Sequence, residues 1–550
     1  MPDPKQQNIL ASSQLTVLVV DPNPVIRTNV QNMLNQSGIS RVEFAVNAGT
    51  AVRQLAKKSY DVILCEYDLG GPGGDGQDGQ QLLEDLRHHR LIPPWAIFIM
   101  ITSEGAEDKV LGAAELAPTG YVLKPFTAGM LGERIARALE RRAALLPAWQ
   151  LVAQGDSRAA IQACIEGAKA KPRYAFDFAR LRAELHASLK EPARAEGVYR
   201  QVLAARPLGW GRLGLSRALV AQERLPDAIE QLEALILDNP RLMAAYDLLA
   251  QCRAERGEHA QAQKTLEDAV AISPHMVRRQ RRLGEVALET GDAALAEKSF
   301  RQVVARSRHS EFRNPEDHVQ LVKALVRKGD PPGAAGVIRD LERSLRGSPE
   351  LVACKAIASA LLHEAAGNKA GTVSELKQAA DAVRGGGMLS SGMRVDLARA
   401  CLAQHLDDEA AGVLMTSMNG ADSGISARQA LDVFVQAGRP DLADGMNKQL
   451  RAQARILLGV ADEKRNMGDV RGAVQTLLEA LRMAPNNLQV MIAVVGGILR
   501  QVMEMGWDEG LAALCAEQLA HIRALDPAHP RLQALDAELL AAKRKYGIST

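Results

Sequence analysis

Short apolar runs alternate with amphipathic helical patterns over residues 1–142. The runs that predict strands lie at 15–20, 41–45, 61–66, 95–101 and 120–123. The patterns that predict helices lie at about 25–36, 50–57, 79–90, 108–116 and 129–142. Continuously apolar strands between helices predict an α/β fold, with a doubly wound five-stranded parallel sheet covered on both faces. In such a sheet, functional groups gather at the carboxyl ends of the strands.

After Arg142 the strand signal disappears and a helical motif recurs. It consists of a turn such as Gly-Asp, an Ala five residues after the start of the turn, and a large apolar residue four positions later. Ala228, Ala262 and Ala296 mark three copies spaced 34 residues apart. This period resembles tetratricopeptide repeats, and it predicts an all-α superhelical array with a concave surface. Roughly nine to eleven repeats are expected, with longer or irregular ones between about residues 310 and 404.

Composition narrows the classes of function. The chain has 550 residues, with 67 basic and 65 acidic side chains, so its net charge of +2 gives no sign of a polyanionic partner. Its six cysteines are spread singly, which is typical of reduced, buried thiols in a cytoplasmic protein. The apolar stretches are judged too short to span a bilayer. We therefore expect a soluble protein without a membrane partner.

Four polar residues stand at the carboxyl ends of predicted strands. They are Asp21, Glu66, Thr102 and Lys124, in the segments "VLVVDPNP", "VILCEYDL", "IMITSE" and "GYVLKPF". In this order and context they resemble the receiver domain of bacterial two-component response regulators. The resemblance implies a flavodoxin-like sheet and a cis bond between Lys124 and Pro125. The repeats contain no GxSxG, HExxH, Walker or paired-carboxylate motif, so we do not expect an enzyme.

The resemblance also implies a role for each position. In the family, an acidic pair and an acceptor aspartate bind Mg²⁺, while lysine and a hydroxyl residue hold the phosphoryl oxygens. Asp21 corresponds to the acidic pocket and Glu66 to the phosphoacceptor. Thr102, Lys124 and the aromatic Tyr121 correspond to the switch and phosphate-contact positions.

This chain departs from the family pattern at two positions. Pro22 replaces the second acidic residue, so Asp21 and Glu66 provide at most a weak Mg²⁺ site, and no other cofactor is implied. Glu66 stands where the family has aspartate, and its longer side chain displaces the nucleophile by roughly an ångström, which costs on the order of 100-fold in rate. We therefore do not expect conventional phosphorylation by a histidine kinase.

Several alternatives stay open at this stage. Glu66 either mimics a phosphoryl group, although with less negative charge, or belongs to an inert protein-binding scaffold, and the two are weighted evenly. A third alternative is a phosphorelay regulator that accepts phosphate on Glu66 or on Asp68. The glycine-rich segment 70–79 contains a literal GxGxxG at 71–76. Because it follows the third strand and is rich in acidic residues, we interpret it as an insertion and not as a dinucleotide loop.

Two basic features have ordinary interpretations. The "RRQRR" segment at 278–282 raises a less favoured alternative, a nucleic-acid-binding regulator, but a solvated helix of the array is preferred. His88 and His89 are neighbours in sequence and do not share a helix face, so they are interpreted as solvated and not as a metal site.

We thus expect a flexible tail at 1–14, a receiver domain at 15–142 and a tetratricopeptide-like array at 143–546. The expected function is that of a signalling adaptor whose repeats bind a partner protein on their concave face. A histidine kinase or another signalling protein is an expected contact of the receiver. No nucleic acid is expected as a partner, and homodimer formation stays open.

Overall fold

The structure is a computed structural model that describes residues 14–70, 78–103, 119–274, 276–307, 313–344, 350–419 and 425–547. The chain forms two compact units, residues 1–328 and 329–550. The predicted helix near 108–116, the segment 71–76 and residues 1–13 of the predicted tail lie outside the described residues.

The first unit begins with a five-stranded parallel sheet whose strand order is β2-β1-β3-β4-β5. Its strands are β1 (Thr16–Val20), β2 (Arg41–Ala45), β3 (Val62–Glu66), β4 (Ile97–Ser103) and β5 (Gly120–Lys124). The described helices around it are α1 (Pro24–Gln36), α2 (Ala48–Leu55), α3 (Gly79–His88) and the beginning of α4 (Ala128–Ala153). The doubly wound parallel sheet predicted from the sequence is therefore confirmed.

Alternate side chains of each strand enter two separate cores. Val17 and Val19 of β1 pack with α1 and α4 on one face of the sheet. Leu18 and Val20 pack with α2 and α3 on the other face. Because all the central strands are apolar on both faces, neither face is left for solvent.

Two of the predicted helix boundaries move for local reasons. Helix α2 begins at Ala48 and not at residue 50, because the Asn47 side chain caps it by accepting from the Thr50 amide at 2.8 Å. Helix α3 ends at His88 and not at Arg90, whose φ of 54° is left-handed and stops the helix.

Helix α4 connects the sheet to the repeats without a break. Leu131 and Ile135 of its first half are buried in the sheet core. Leu145 and Ala148 of its second half are buried in the first repeat hairpin. The expected boundary at Arg142 thus falls inside one 26-residue helix, and the extents of the two domains stay predictions.

The rest of the first unit consists of helical hairpins. These helices are α5 (Ser157–Ala170), α6 (Ala175–Ser188), α7 (Pro192–Ala205), α8 (Gly209–Val220), α9 (Leu225–Asp238), α10 (Met243–Glu255), α11 (His259–Ile272), α12 (Val277–Thr290), α13 (Ala293–Ser307) and α14 (Glu316–Lys328). The first helices of four successive hairpins, α6, α8, α10 and α12, begin 34 residues apart. The motif alanines Ala228, Ala262 and Ala296 are fully buried where the helices cross, which confirms the predicted repeat.

The second unit is also helical. Its helices are α15 (Pro331–Ser344), α16 (Leu351–Ala365), α17 (Lys369–Arg384), α18 (Ser391–Ala403), α19 (Asp407–Asn419), α20 (Ala427–Gln436), α21 (Pro440–Asn466), α22 (Val470–Met483), α23 (Leu488–Met505), α24 (Glu509–Leu525) and α25 (Leu532–Lys545). The spacing is less regular here, since α16 and α18 begin 40 residues apart. All six cysteines of the chain are unpaired and buried, as predicted.

Helix α23 corrects the prediction that every apolar stretch is too short for a membrane. Its 18 residues have a mean hydropathy of 1.4, and by length and composition alone it is able to cross a bilayer. Val490, Val494, Ile498 and Val502 are buried in the core of the second unit, where they pack with residues of α22 and α24. One face of this apolar helix, 39% of its residues, therefore lies in the core of the second unit.

A close approach between helices α12 and α13 makes Gly284 necessary. A Cβ atom at Gly284 would lie 2.7 Å from the ring of Phe300, which is fully buried. We expect Gly284→Ala to lower the free energy of unfolding by about 1–3 kcal/mol, because overpacking exceeds the gain in helix propensity. Gly197→Ala is the matched control: with no atom within 4 Å of its Cβ, it should stabilise by about 0.5–1 kcal/mol. Urea unfolding measures both, and equal effects would contradict the packing argument.

Candidate functional site

The sheet brings the predicted polar residues to one edge. Asp21 directly follows β1, Glu66 ends β3, Thr102 lies in β4 and Lys124 ends β5. Asp21, Glu66 and Thr102 are buried, at 3%, 9% and 1% exposure. The Lys124–Pro125 bond is cis, as the resemblance implies. These positions form a polar pocket at the carboxyl edge of the sheet, which we call the strand-end pocket.

The central interaction of this pocket joins Glu66 to Lys124. The Lys124 ammonium group donates directly to Oε2 of Glu66. The other oxygen of Glu66 accepts from the backbone amide of Asp68 at 3.3 Å. The Glu66 carboxylate thus binds the lysine that, in the family this segment resembles, holds a phosphoryl oxygen.

Asp21 is the second carboxylate of the strand-end pocket. Its Oδ1 accepts from the Asn23 amide at 2.7 Å, and its Oδ2 lies 3.8 Å from Nζ of Lys124 and has no hydrogen-bond partner among the described residues. Burial raises the pKa of Asp21, although the Asn23 amide and the charges of Lys124 and Arg27 oppose this shift. Arg27 also donates to the backbone carbonyl of Asp21 at 2.5 Å. Sequence reasoning missed Asn23 and Arg27, whose only signal is that they lie at the start of the first helix.

The other predicted positions lie around this pair. Thr102 is buried in β4, where it pairs in register with Leu123 of β5. Tyr121 is half-buried, and burial, together with the nearby Tyr67, raises its pKa to about 12. Asp68 is exposed and accepts from the Gly70 amide at 3.0 Å, so its carboxylate stabilises the local turn.

The residues present fit Mg²⁺ poorly. A hard cation needs several oxygen ligands, but of the carboxylates in the described part of the chain the strand-end pocket offers only those of Asp21 and Glu66, because Pro22 carries none. The Lys124 ammonium already neutralises Glu66. Among the described residues, no group of three His, Cys, Asp or Glu side chains is arranged to hold a metal.

Helix α3 begins against the backbone of Glu66. The Gly79 amide donates to the carbonyl of Tyr67 at 2.7 Å, and a Cβ atom at Gly79 would lie 2.4 Å from the carbonyl oxygen of Glu66. Only glycine therefore fits at the first position of this helix. Asp78 caps the helix, accepting from the Gln81 amide at 2.8 Å. The strand-end pocket and the first turn of α3 are thus in direct contact.

Asp78 gives the receiver a pH-dependent stability. Burial raises its pKa from the usual 3.8 to about 6, so the folded state binds a proton more tightly than the unfolded state. Stability should therefore fall as the pH rises from about 4 to 6 and stay lower above that. Asp78→Asn keeps the capping oxygen but not the charge. We expect it to remove the fall in the free energy of unfolding with rising pH, which is on the order of 2 kcal/mol. Denaturant unfolding at pH 4 and pH 8 measures the difference. The exposed cap variant Asp469→Asn should not reproduce it, and an equal effect there would contradict the assignment.

The last turns of α3 contact the repeats. Nη2 of Arg278 in α12 lies 3.5 Å from Oε2 of Glu84, and its Nη1 lies 3.2 Å from Nδ1 of His88. Burial raises the pKa of Glu84 to about 7, against the charges of Arg279 and Arg278. His88 thus has a partner in the repeats, and its ring also contacts that of His89 edge to face at 4.9 Å. We call the Glu84–Arg278 contact the receiver–repeat contact.

Two arginines of the basic segment 278–282 are withdrawn from solvent, which corrects the sequence interpretation at these positions, while Arg278 and Arg282 stay 36% and 42% exposed. Arg279 is only 5% exposed and forms a two-point ion pair with Asp247, at 2.7 and 2.9 Å. Arg281 pairs in the same way with buried Asp317, at 2.6 and 2.8 Å. These guanidinium groups are neutralised by carboxylates between neighbouring repeats and are not displayed for phosphate groups.

Comparison with known proteins agrees with both parts of the chain. The family described as "Response regulator receiver domain" matches residues 17–136, and "Tetratricopeptide repeat" matches residues 213–277 and 249–311. The chain is 29% identical over 132 residues to the chemotaxis protein CheY-3 of Vibrio cholerae, covering 97% of that protein and 24% of this chain. It is 30% identical over 127 residues to the chemotaxis protein CheY of Pseudomonas aeruginosa, covering 98% of that protein and 23% of this chain.

Several solved structures are similar to the helical part of the chain. One of them, a tetratricopeptide repeat protein from Parabacteroides merdae, is 12% identical, with a TM-score of 0.33, and the match covers 55% of this chain and 98% of that one. No functional conclusion follows from this likeness.

Proposed function

Because the chain belongs to the response regulator receiver family, we propose that it is a non-enzymatic signalling adaptor whose receiver works without conventional phosphorylation. The observation that carries this proposal is the direct bond between Lys124 and Glu66. It favours the phosphoryl mimic over the inert scaffold, since the carboxylate already engages the lysine expected to hold a phosphoryl oxygen. With a single negative charge, the mimicry is partial.

The described contacts provide a route from the strand-end pocket to the repeats. Helix α3 begins against the backbone of Glu66 and ends at the receiver–repeat contact with Arg278. A helix of ten residues is a rigid element of about 15 Å, so a displacement at its first turn moves its last turn as well. We propose that α3 couples the state of the strand-end pocket to the repeat array.

The repeats are proposed to bind a partner protein, since stacked helical repeats provide extended binding surfaces. A histidine kinase or another signalling protein remains the proposed contact of the receiver, and a homodimer and a cytoplasmic location also remain proposals. A nucleic-acid partner is not proposed, because Arg279 and Arg281 are engaged by Asp247 and Asp317.

Partner capture tests the adaptor function. The full-length wild-type chain, immobilised as bait, should retain the same protein partner in cross-linked and native preparations. The Glu84→Arg variant should change the amount retained, because α3 no longer holds the repeats in the same state. Equal retention by the two baits would contradict coupling through α3, and the absence of any retained partner would contradict the adaptor function.

The phosphorelay regulator is the competing function. It requires a covalent phosphate on Glu66 or Asp68, and within the described residues the Asp68 carboxylate accepts from the Gly70 amide of its local turn, a contact that does not support that role. Phosphate on either residue of the wild-type chain would replace our proposal with this one.

A further inference from the structure

A cavity lies between the receiver and the first repeat hairpins within the first unit. Its volume is about 520 Å³, which is within the range of small-molecule sites in proteins. The receiver contributes residues 87–97 at the end of α3 and the start of β4, while α4 and α6 form the opposite wall. Crevices between packed domains are common ligand sites.

Positive charge dominates this cavity, which we call the arginine pocket. It is lined by two carboxylates, Asp177 and Glu184, and by five arginines, Arg87, Arg90, Arg141, Arg142 and Arg180. The excess of guanidinium groups creates a field that attracts an anion.

Ion pairs cancel only part of this charge. Arg141 donates to Asp177 at 2.9 Å, Arg142 to Asp61 at 3.1 Å and Arg180 to Glu184 at 2.9 Å, so five guanidinium groups face three carboxylates. Burial and the positive charges of Arg180 and Arg141 lower the pKa of Arg87 to about 10. A bound anion would relieve this repulsion, and guanidinium groups match the oxygen geometry of phosphate.

Two tryptophans form an apolar wall beside the arginines. The indole rings of Trp95, from the receiver, and Trp149, from α4, have centroids 6.2 Å apart and planes tilted by 51°. Both are partly exposed to the arginine pocket. An indole face accommodates a flat aromatic ring, and nucleic-acid bases stack on such faces whatever their sequence.

We propose that the arginine pocket binds a nucleotide, with its phosphate among the guanidinium groups and its base against Trp95 and Trp149. Neither the receiver nor the repeats alone complete this site, because Arg87, Arg90 and Trp95 come from the receiver and Trp149 and Arg180 from the repeats. A bound nucleotide therefore bridges the two. This proposal stands independently of the state of Glu66.

Titration of the full-length protein with adenosine and guanosine monophosphates tests the site. Trp95 and Trp149 are two of the four tryptophans of the chain, so binding should produce a saturable change in intrinsic fluorescence, which calorimetry should match. Arg90→Glu should weaken binding about tenfold or more, since it replaces an attractive charge by a repulsive one. Trp149→Leu should weaken binding and reduce the fluorescence change. Arg41→Glu, on the edge strand β2 and outside the lining, is the matched charge control and should bind as the wild type does.

The remaining outcomes decide against the proposal. No saturable change with either nucleotide at millimolar concentration would exclude the site. Inorganic phosphate binding as tightly as the nucleotides would show a simple anion site and overturn the nucleotide assignment. Unchanged binding in both Arg90→Glu and Trp149→Leu would place the nucleotide elsewhere. Circular dichroism of each variant confirms that a loss of binding is not a loss of fold, and calorimetry of Arg90→Glu suffices if Trp149→Leu does not fold.

Discussion

Replacing Glu84 by arginine should detach α3 of the receiver from α12, and replacing Arg278 by glutamate in the same chain should restore the contact. In the wild type, Oε2 of Glu84 lies 3.5 Å from Nη2 of Arg278, and the Glu84 side chain is 17% exposed. The Glu84→Arg variant would place two guanidinium groups in this partly buried contact, with Arg279 nearby. The Arg278→Glu variant would oppose two carboxylates instead.

The double variant separates the charge pair from the other effects of each substitution. We expect each single variant to weaken the contact and the double variant to recover a coupling energy of about 1–2 kcal/mol. Hydrogen exchange of peptides from α3 and α12 measures the weakening and recovery of the contact, since their amides should exchange faster when the contact opens.

Glu133→Arg is the matched control for this cycle. Glu133 pairs with Arg137 on the outside of α4, where both side chains are more than half exposed, so its reversal should leave the exchange of α3 and α12 unchanged. Additive effects of Glu84→Arg and Arg278→Glu, without recovery in the double variant, would show that the pair does not hold the receiver to the repeats.

The second large effect is a gain of function in the strand-end pocket. The double variant Pro22→Asp, Glu66→Asp should accept phosphate from acetyl phosphate in the presence of Mg²⁺. Pro22→Asp supplies the missing carboxylate beside Asp21. Glu66→Asp withdraws the carboxylate from Lys124 by roughly 1.5 Å, one carbon–carbon bond, and leaves the ammonium group free for a phosphoryl oxygen.

Each single variant is a control for the double variant. Pro22→Asp alone keeps the Glu66–Lys124 bond, and Glu66→Asp alone lacks the second metal ligand, so both should be phosphorylated far less. Intact-mass measurement detects the added phosphoryl group, and omission of Mg²⁺ should abolish it. A double variant without added mass would mean that Pro22 and Glu66 are not what prevents phosphorylation.

The sequence predicted the sheet, the 34-residue repeats and the position of the strand-end pocket because each has a local signal. Apolar runs define the strands, and parallel strands place Asp21, Glu66 and Lys124 at one edge whatever the details of packing. The buried alanines of the repeats recur at a fixed spacing, which is visible without any structure. The sequence did not decide whether Glu66 bonds to Lys124, because the two residues lie 58 positions apart and no local pattern connects them.

The contacts of the receiver with the repeats had no such signal. Glu84 and Arg278 are 194 residues apart, and neither lies in a sequence motif that indicates which residue it contacts. The "RRQRR" segment was interpreted as solvated because charged residues usually are. Two of its arginines, Arg279 and Arg281, are instead paired with Asp247 and Asp317, one helix pair away in each direction. The continuity of α4 was also hidden, because Arg142 is the last residue of one periodic pattern and lies in the middle of one helix.

The central claim is that, in the wild-type receiver, the bond between Glu66 and Lys124 takes the place of a phosphoryl group, so that the receiver works without phosphorylation. Intact-mass measurement of the full-length wild-type chain after incubation with acetyl phosphate and Mg²⁺ tests it most directly, with the Pro22→Asp, Glu66→Asp variant beside it. We predict an unchanged mass for the wild type and an added mass of about 80 Da, one phosphoryl group, for the variant. An added phosphoryl group on the wild type, located at Glu66 or Asp68, would contradict the account.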